Sequence, residues 1–157
     1  MTALHLAARF SSGSVIEALV KAGAKVDARD DWQQTPLHYA AQFNTSEDMI
    51  RVLVKCGADV NACNDYQWTP LHKAAWINRE VVPVLVQQGA KVNILNTSNH
   101  SPIHWAAQGQ FFDKTDGEAV KALLDAGADP TLGDDPPLDD EEVEDEMKTL
   151  IRKHLSL

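Results

Sequence analysis

Apolar residues recur along the chain in short groups that have the spacing of one helix side. Three such groups are Ile16, Leu19 and Val20, then Ile50, Leu53 and Val54, and finally Val120, Leu123 and Leu124. Residues three or four positions apart lie on one side of a helix, so each group predicts a short helix with one buried side. A glycine follows each of these helices, as is typical of a left-handed helix end, at Gly23, Gly57 and Gly127.

A second motif lies before each of these helices. It reads TALHLAA, TPLHYAA, TPLHKAA and SPIHWAA, with spacings of 33, 34 and 32 residues, from Thr2, Thr35, Thr69 and Ser101. Thr or Ser is a frequent N-cap and Pro suits the first helical position, so each motif predicts a first helix. The second helices are predicted to begin, from capping residues with an acid three positions later, at Ser14, Thr45 and Thr115. In the third unit, Pro83 is predicted to delay the start of the second helix.

The segment after each second helix also repeats. It reads GAKVDARDD, GADVNACND, GAKVNILNT and GADPTLGDD, from Gly23, Gly57, Gly89 and Gly127. Each unit is therefore a helix pair followed by an extended, hairpin-like loop, and the predicted fold class is all-α. One helix pair cannot bury its own apolar side, so the units must stack into a solenoid.

The two motifs at this period resemble those of ankyrin repeats. The resemblance covers residues 2 to about 133 and implies one domain over residues 1–157, with repeats starting near positions 2, 35, 69 and 101. It also implies a curved stack in which the first helices and the loop tips form a concave binding face. Since the first unit lacks the loop arm that would precede it, we expect the chain to be a fragment of a longer protein.

The residue before each first helix departs from the family pattern, which usually has glycine there. This chain instead has Gln33, Gln67 and Asn99. If the left-handed conformation of the family is kept, each glutamine costs about 1 kcal/mol relative to glycine.

Negative charge is concentrated near the C terminus. The chain holds 14 Lys and Arg against 23 Asp and Glu, a net charge of −9, and nine of the acids lie between Asp134 and Glu146. The remainder carries balanced charge, so direct binding of nucleic acid is disfavoured.

Residues 134–157 are interpreted as an acidic linker followed by an amphipathic helix from Asp139 to Leu155. The apolar side of this helix consists of Val143, Met147, Leu150, Ile151 and Leu155. The helix caps the fourth repeat or attracts a basic partner, and the two roles are compatible.

The sequence contains no glycine-rich phosphate loop, no metal-ligand spacing and no nucleophile motif. We therefore predict no catalytic residue, no metal, no cofactor and no enzymatic activity. The family resemblance implies that the histidines of the repeated motif are structural, because a capping Thr or Ser and an imidazole at this place commonly bond to neighbouring backbone; they are His5, His38, His72 and His104. Two cysteines fit a reducing compartment, and neither a membrane span nor a secretory signal is recognisable, so we expect a cytoplasmic or nuclear protein.

Large apolar residues at variable positions of the repeats are the candidate partner-binding residues. They are Phe10, Trp32, Phe43, Tyr66, Trp68, Trp76, Ile77 and, in an insertion of the fourth unit, Phe111 and Phe112. Stacking places equivalent residues in two columns, one on the loop tips and one on the first helices. Exposed aromatic residues are enriched at binding hot spots. The alternative is that these residues pack against each other between repeats or lie under flanking sequence.

The predicted function is a protein-protein interaction module, namely an adaptor, scaffold or inhibitor that binds a protein or peptide and is monomeric when unbound. Two alternatives stay open. The chain is a targeting or regulatory region of a larger enzyme or channel, or a regulator of transcription or of a kinase that acts through a partner.

Asn61 and Asn93 are candidate modification sites. In animal members of the family such asparagines are hydroxylated by an enzyme that recognises a leucine eight residues upstream, which corresponds here to Leu53 and Leu85. A loop can open locally at low cost and present its backbone to another active site. The alternative is that both asparagines only hold turn geometry through their side chains.

Overall fold

The computed structural model describes residues 1–108, 114–134, 137 and 145–155. Within these ranges the chain forms nine α-helices, one 3₁₀ turn and no strand, which confirms the predicted all-α class. The helices are α1 (Ala3–Phe10), α2 (Gly13–Lys21), α3 (Pro36–Phe43), α4 (Glu47–Lys55), α5 (Pro70–Ile77), α6 (Val82–Gln87), α7 (Pro102–Ala107), α8 (Lys114–Asp125) and α9 (Asp145–Leu155).

The first eight helices form two layers. The first helices of the repeats, α1, α3, α5 and α7, stack on one another, and the second helices, α2, α4, α6 and α8, stack beside them. The first helices contact one another more extensively than the second helices do. The stack is therefore packed more closely on the first-helix side, the side that the family resemblance implies to be concave.

The core runs without interruption through the repeats. The alanine pair of each first helix is buried, and one large aliphatic residue beside it is at most 1% exposed; these residues are Leu4, Leu37, Leu71 and Ile103. Because alanine has only a methyl side chain, successive first helices approach closely enough to exclude water.

The second helices begin at positions other than those predicted. α2 follows Ser12 rather than Ser14, α4 follows Ser46 rather than Thr45, and Thr115 lies inside α8. In the second repeat the reason is Asn44, whose side chain accepts from the N–H of Ser46 and donates to the carbonyl of Ala8 in the preceding repeat. This inter-repeat bond sets the turn, and the helix begins one residue later.

The third repeat has a modified second helix. A 3₁₀ turn at Arg79–Val81 occupies the place of the first turn of α4, and α6 begins only at Val82. Pro83 lies in the first turn of α6, where a missing N–H costs no helical hydrogen bond. The predicted delay of the helix is therefore confirmed.

The left-handed conformation of the family is kept before the first helices at all three positions. The φ angle is 58° at Gln33, 56° at Gln67 and 59° at Asn99. The chain thus keeps a backbone geometry that favours glycine while placing side chains there.

The last helix, α9, packs against α8. Met147 and Ile151 are buried at this contact, and Leu150 and Leu155 are half-buried. On the surface, Nδ1 of His154 lies 3.7 Å from a carboxylate oxygen of Asp125. Of the predicted apolar residues of this helix, Val143 lies outside the described residues.

Candidate interaction surface

A row of buried histidines connects each repeat to the next. At the start of α3, the backbone N–H of Thr35 donates to Nδ1 of His38 at 3.1 Å. Because Nδ1 accepts, the ring proton lies on Nε2, which donates to the carbonyl of Trp68 at 2.9 Å. His5 and His72 make the same pair of bonds, with the carbonyl oxygens of Gln34 and His100 as acceptors. These histidines therefore position the loops that carry the candidate binding residues.

Two of the buried histidines, His38 and His72, are held in the neutral form. Burial lowers the pKa of both His38 and His72 to about 4, well below the ordinary value of 6.5. An imidazolium would also lose the Nδ1 lone pair that accepts from the capping N–H. The structural role expected from the sequence is thus the observed one at these positions.

The loop tips are held by a side-chain oxygen at an equivalent position in three repeats. Oδ1 of Asp30 accepts from the N–H groups of Trp32 and Gln34, both at 2.9 Å. Asn64 and Asn96 accept in the same way within their own loops. These bonds stabilise a tight loop. The residue two positions after the accepting side chain lies at the tip of that loop.

Neighbouring loop tips are joined by backbone hydrogen bonds. The N–H of Asp65 donates to the carbonyl of Trp32, and the N–H of Thr97 donates to the carbonyl of Tyr66. Trp32 and Tyr66, each 58% exposed, are consequently side by side. We call this pair the loop-tip column.

The first two repeats carry an aromatic group around one cation. The guanidinium of Arg9 lies 4.1 Å from the ring centroid of Phe43 and 4.7 Å from that of Phe10. Tyr39 packs at 6.1 Å from Phe43, and its hydroxyl donates to Asp30 at 2.8 Å. Burial and this bond raise the pKa of Tyr39 to about 12, so the hydroxyl remains a donor.

The third and fourth repeats carry three tryptophans in mutual contact, Trp68, Trp76 and Trp105, which we call the tryptophan cluster. Ring centroids are separated by 4.8 Å for Trp68 and Trp105, 5.4 Å for Trp68 and Trp76, and 6.2 Å for Trp76 and Trp105. Trp105 lies inside the repeated helix motif and was not among the predicted binding residues; it is half-buried. Its motif position holds the exposed Leu6 in the first repeat and the buried Tyr39 in the second, so the motif alone does not decide its exposure.

Lys73 lies on the tryptophan cluster. Its ammonium nitrogen is 5.0 Å from the ring centroid of Trp68 and 6.0 Å from that of Trp76. Removal from water lowers the pKa of Lys73, which the more distant charge of Asp30 opposes. Among the described residues, no carboxylate forms an ion pair with Lys73 or with Arg9.

Most of the predicted binding residues lie at the surface. Exposure is 70% for Phe10, 41% for Phe43, 44% for Trp76 and 47% for Ile77, all on the first helices. Trp68 is half-buried and contacts Trp76 and Trp105. The alternative that these residues pack against each other between repeats therefore applies to Trp68 in part. Phe111 and Phe112 lie outside the described residues. The assignment of a partner to these positions stays a prediction.

The two candidate modification sites join successive repeats. The side-chain oxygen of Asn61 accepts from the N–H of Lys91 at 2.7 Å, and its amide donates to the carbonyl of Gly89. Asn93 bonds in the same way to the N–H of Asp129 and the carbonyl of Gly127. The side chains therefore have a structural role that extends beyond their own turns to the next loop, and their modification stays a prediction.

Two searches of the described ranges bear on other kinds of site. None of the helices there has the length and apolar character needed to cross a bilayer. In the same ranges, no three His, Cys, Asp or Glu side chains are grouped so that they could hold a metal ion.

Comparison with protein-family models gives a match over most of the chain. A family model described as ankyrin repeats (3 copies) matches residues 1–64 and again residues 60–134. A search of curated proteins finds no match to the chain.

Proposed function

Because the chain belongs to the ankyrin repeat family, we propose that it binds a partner protein or peptide across its concave first-helix side. Ankyrin repeats are generally protein-protein interaction modules. The observation that carries the proposal is the row of exposed apolar side chains on α1, α3 and α5, from Phe10 to Phe43 and then Trp76 and Ile77.

The energetic argument rests on what these side chains do in the unbound protein. Each exposed aromatic ring leaves apolar surface in water that a partner would cover. Burial of that surface contributes a favourable free energy of about 25 cal/mol per Å². Arg9 and the tryptophan contacts restrict several of the rings before binding, so less rotamer entropy is lost when a partner binds. Aromatic residues held in this way are typical binding hot spots.

The finer role that we propose is that of a monomeric adaptor, scaffold or inhibitor inside the cell, without a catalytic activity of its own. Cys56 and Cys63 are both free thiols, in keeping with a reducing compartment. The charge balance supports binding to protein rather than directly to nucleic acid.

Capture of a partner from the source cell tests the proposal. A double variant, Phe43→Ala with Trp76→Ala, should weaken capture by at least about 2 kcal/mol, or roughly thirtyfold. A second double variant, Trp32→Ala with Tyr66→Ala, tests the loop-tip column separately. Circular dichroism checks that the helices remain.

Val15 supplies a matched control, because it is 40% exposed but lies on α2, in the second layer. Val15→Ala should leave capture unchanged. Equal capture by the parent and both double variants would contradict the proposed binding side.

A further inference from the structure

The charges of the first helices differ in sign from those of the whole protein. α1, α3, α5 and α7 contain no Asp or Glu, and their two permanently charged residues are Arg9 and Lys73. The chain as a whole has a net charge of −9. In the described part of the repeats, the acids therefore lie in the loops, the 3₁₀ turn and the second helices.

Neither cation is neutralised by a carboxylate of the described residues. The acid that acts electrostatically on Lys73 is Asp30, but its carboxylate already accepts from Tyr39, Trp32 and Gln34. Both cations lie instead against aromatic rings, which hold a positive charge without cancelling it. Each can still form an ion pair.

The position of Lys73 also decides which ligands the tryptophan cluster rejects. Three aromatic rings in mutual contact could bind a cation by themselves. Here the ammonium of Lys73 already lies 5.0 Å from the Trp68 ring centroid, and a second cation at the same rings would be repelled. A carboxylate would be attracted, and in a site partly removed from water that attraction is stronger than at an open surface.

We propose that the partner segment is acidic and carries aromatic or aliphatic anchor residues, with its carboxylates bound by Lys73 and Arg9 and its anchors placed on Trp76, Ile77 and Phe43. The inference rests on the proposed function and names the chemical class of the partner. The exposed acids Asp31 and Asp65 lie at the loop tips. The acidic part of the partner therefore lies along the helices and away from the tips.

Synthetic peptides provide the probe. One short peptide contains Phe-Leu pairs separated by glutamates, and two matched peptides carry glutamine or lysine instead of glutamate. All three spacer residues are good helix formers, so they differ mainly in charge. Fluorescence anisotropy of a labelled peptide measures binding, and the intrinsic tryptophan emission reports contact with the cluster. The glutamate peptide should bind at least tenfold more tightly than the glutamine peptide.

Substitution of Lys73 separates its charge from its packing. Lys73→Met keeps an unbranched apolar side chain and should remove most of the glutamate preference while leaving the glutamine peptide unaffected. Lys73→Arg should retain the preference. Lys21→Met, an exposed lysine of α2 in the second layer, changes net charge by the same amount and should alter nothing.

The outcomes distinguish this inference from the proposed function. Equal binding of the glutamate and glutamine peptides, abolished by Phe43→Ala with Trp76→Ala, would overturn the charge preference and leave the binding side intact. Failure of every peptide to bind would overturn both. Tighter binding of the lysine peptide, or of a uridine oligonucleotide in the same assay, would overturn the acidic partner. So would an equal effect of Lys21→Met and Lys73→Met.

Discussion

The Nε2 atom of His38 lies 2.9 Å from the carbonyl oxygen of Trp68. A buried side chain of the second repeat thus holds the backbone of Trp68, whose indole ring contacts both other rings of the tryptophan cluster. The bond spans 30 residues of sequence. It connects the interior of the stack with the candidate binding side, because displacement of the His38 ring would release the loop that carries Trp68. The packing of the second repeat and the position of the tryptophan cluster are therefore coupled.

Acid should destabilise the protein through its buried histidines. Above pH 6.5 His38 and His72 are neutral both in the folded and in the unfolded chain. As the pH falls from 6.5 to about 4, the unfolded chain binds protons that the folded chain does not, so the free energy of unfolding decreases. A pKa displaced from 6.5 to about 4 corresponds to a loss of about 3 kcal/mol for each histidine.

Urea denaturation at several pH values measures this loss. Replacement by asparagine, His38→Asn, should lower stability at pH 7 and reduce the slope between pH 6.5 and 4. An unchanged slope in this variant would contradict the assignment.

Glycine at the left-handed loop positions should stabilise the protein. Gln67 has a φ angle of 56° and an exposed side chain, so Gln67→Gly relieves the conformational cost with little loss of contact. We expect a gain of about 1 kcal/mol in the free energy of unfolding. The comparison variant Gln87→Gly, at the last residue of α6, should instead lose stability, because glycine is a poor helix former and the bond from Arg51 is removed. A loss in both variants would mean that the Gln67 side chain has a stabilising role.

Removal of the α9 contact should affect the fourth repeat first. Ile151 is fully buried against the stack, so Ile151→Ala should cost about 2–4 kcal/mol locally. Interactions in a repeat array are mainly between neighbours, and hydrogen exchange should therefore accelerate in α8 more than in α4. Lys153→Ala, on the exposed side of α9, is the control. Uniform exchange rates in α4 and α8 of the Ile151 variant would indicate that α9 does not support the fourth repeat.

The asparagine that joins the second and third loops should contribute modestly to stability. Asn61→Ala removes one acceptor and one donor from the contact with Lys91 and Gly89, and we expect a loss of about 1 kcal/mol. An aspartate can keep the accepted bond but not the donated one. In the first repeat Asp27 accepts from the N–H of Asp59 at the equivalent place. Asn61→Asp should thus lie between the parent and the alanine variant in thermal denaturation. If Asn61→Asp loses as much stability as Asn61→Ala, the bond that the Asn61 amide donates to the carbonyl of Gly89 makes the larger contribution.

Asn61 and Asn93 stay our proposed modification sites. Access by an asparagine hydroxylase requires opening of the loop, which breaks two hydrogen bonds to the next repeat at each site. We therefore expect partial rather than complete modification. Mass spectrometry of protein from its native cell should find peptides of either site heavier by one oxygen atom. Absence of that mass increase with the hydroxylase present and active would exclude the modification.

The sequence by itself determined the repeat, the helix pairs and the left-handed loop ends. Each of these depends on residues close together in the chain. Thr69 and Pro70 start α5 through local capping, and Gly57 ends α4 because it takes a left-handed φ of 95° just after the C-cap. Recurrence of the same local signals in every unit made the stacked fold predictable as well.

Only the tertiary structure decided how the candidate surface is assembled. Trp105 joins Trp68 and Trp76, and Asn61 bonds to the following loop, although the sequence indicated neither contact. Such contacts join residues from successive repeats, so they depend on how one repeat sits on the next and on which rotamers the packing admits. A local pattern records that a residue is apolar or polar; the neighbour that it meets is set by the stacking of the repeats.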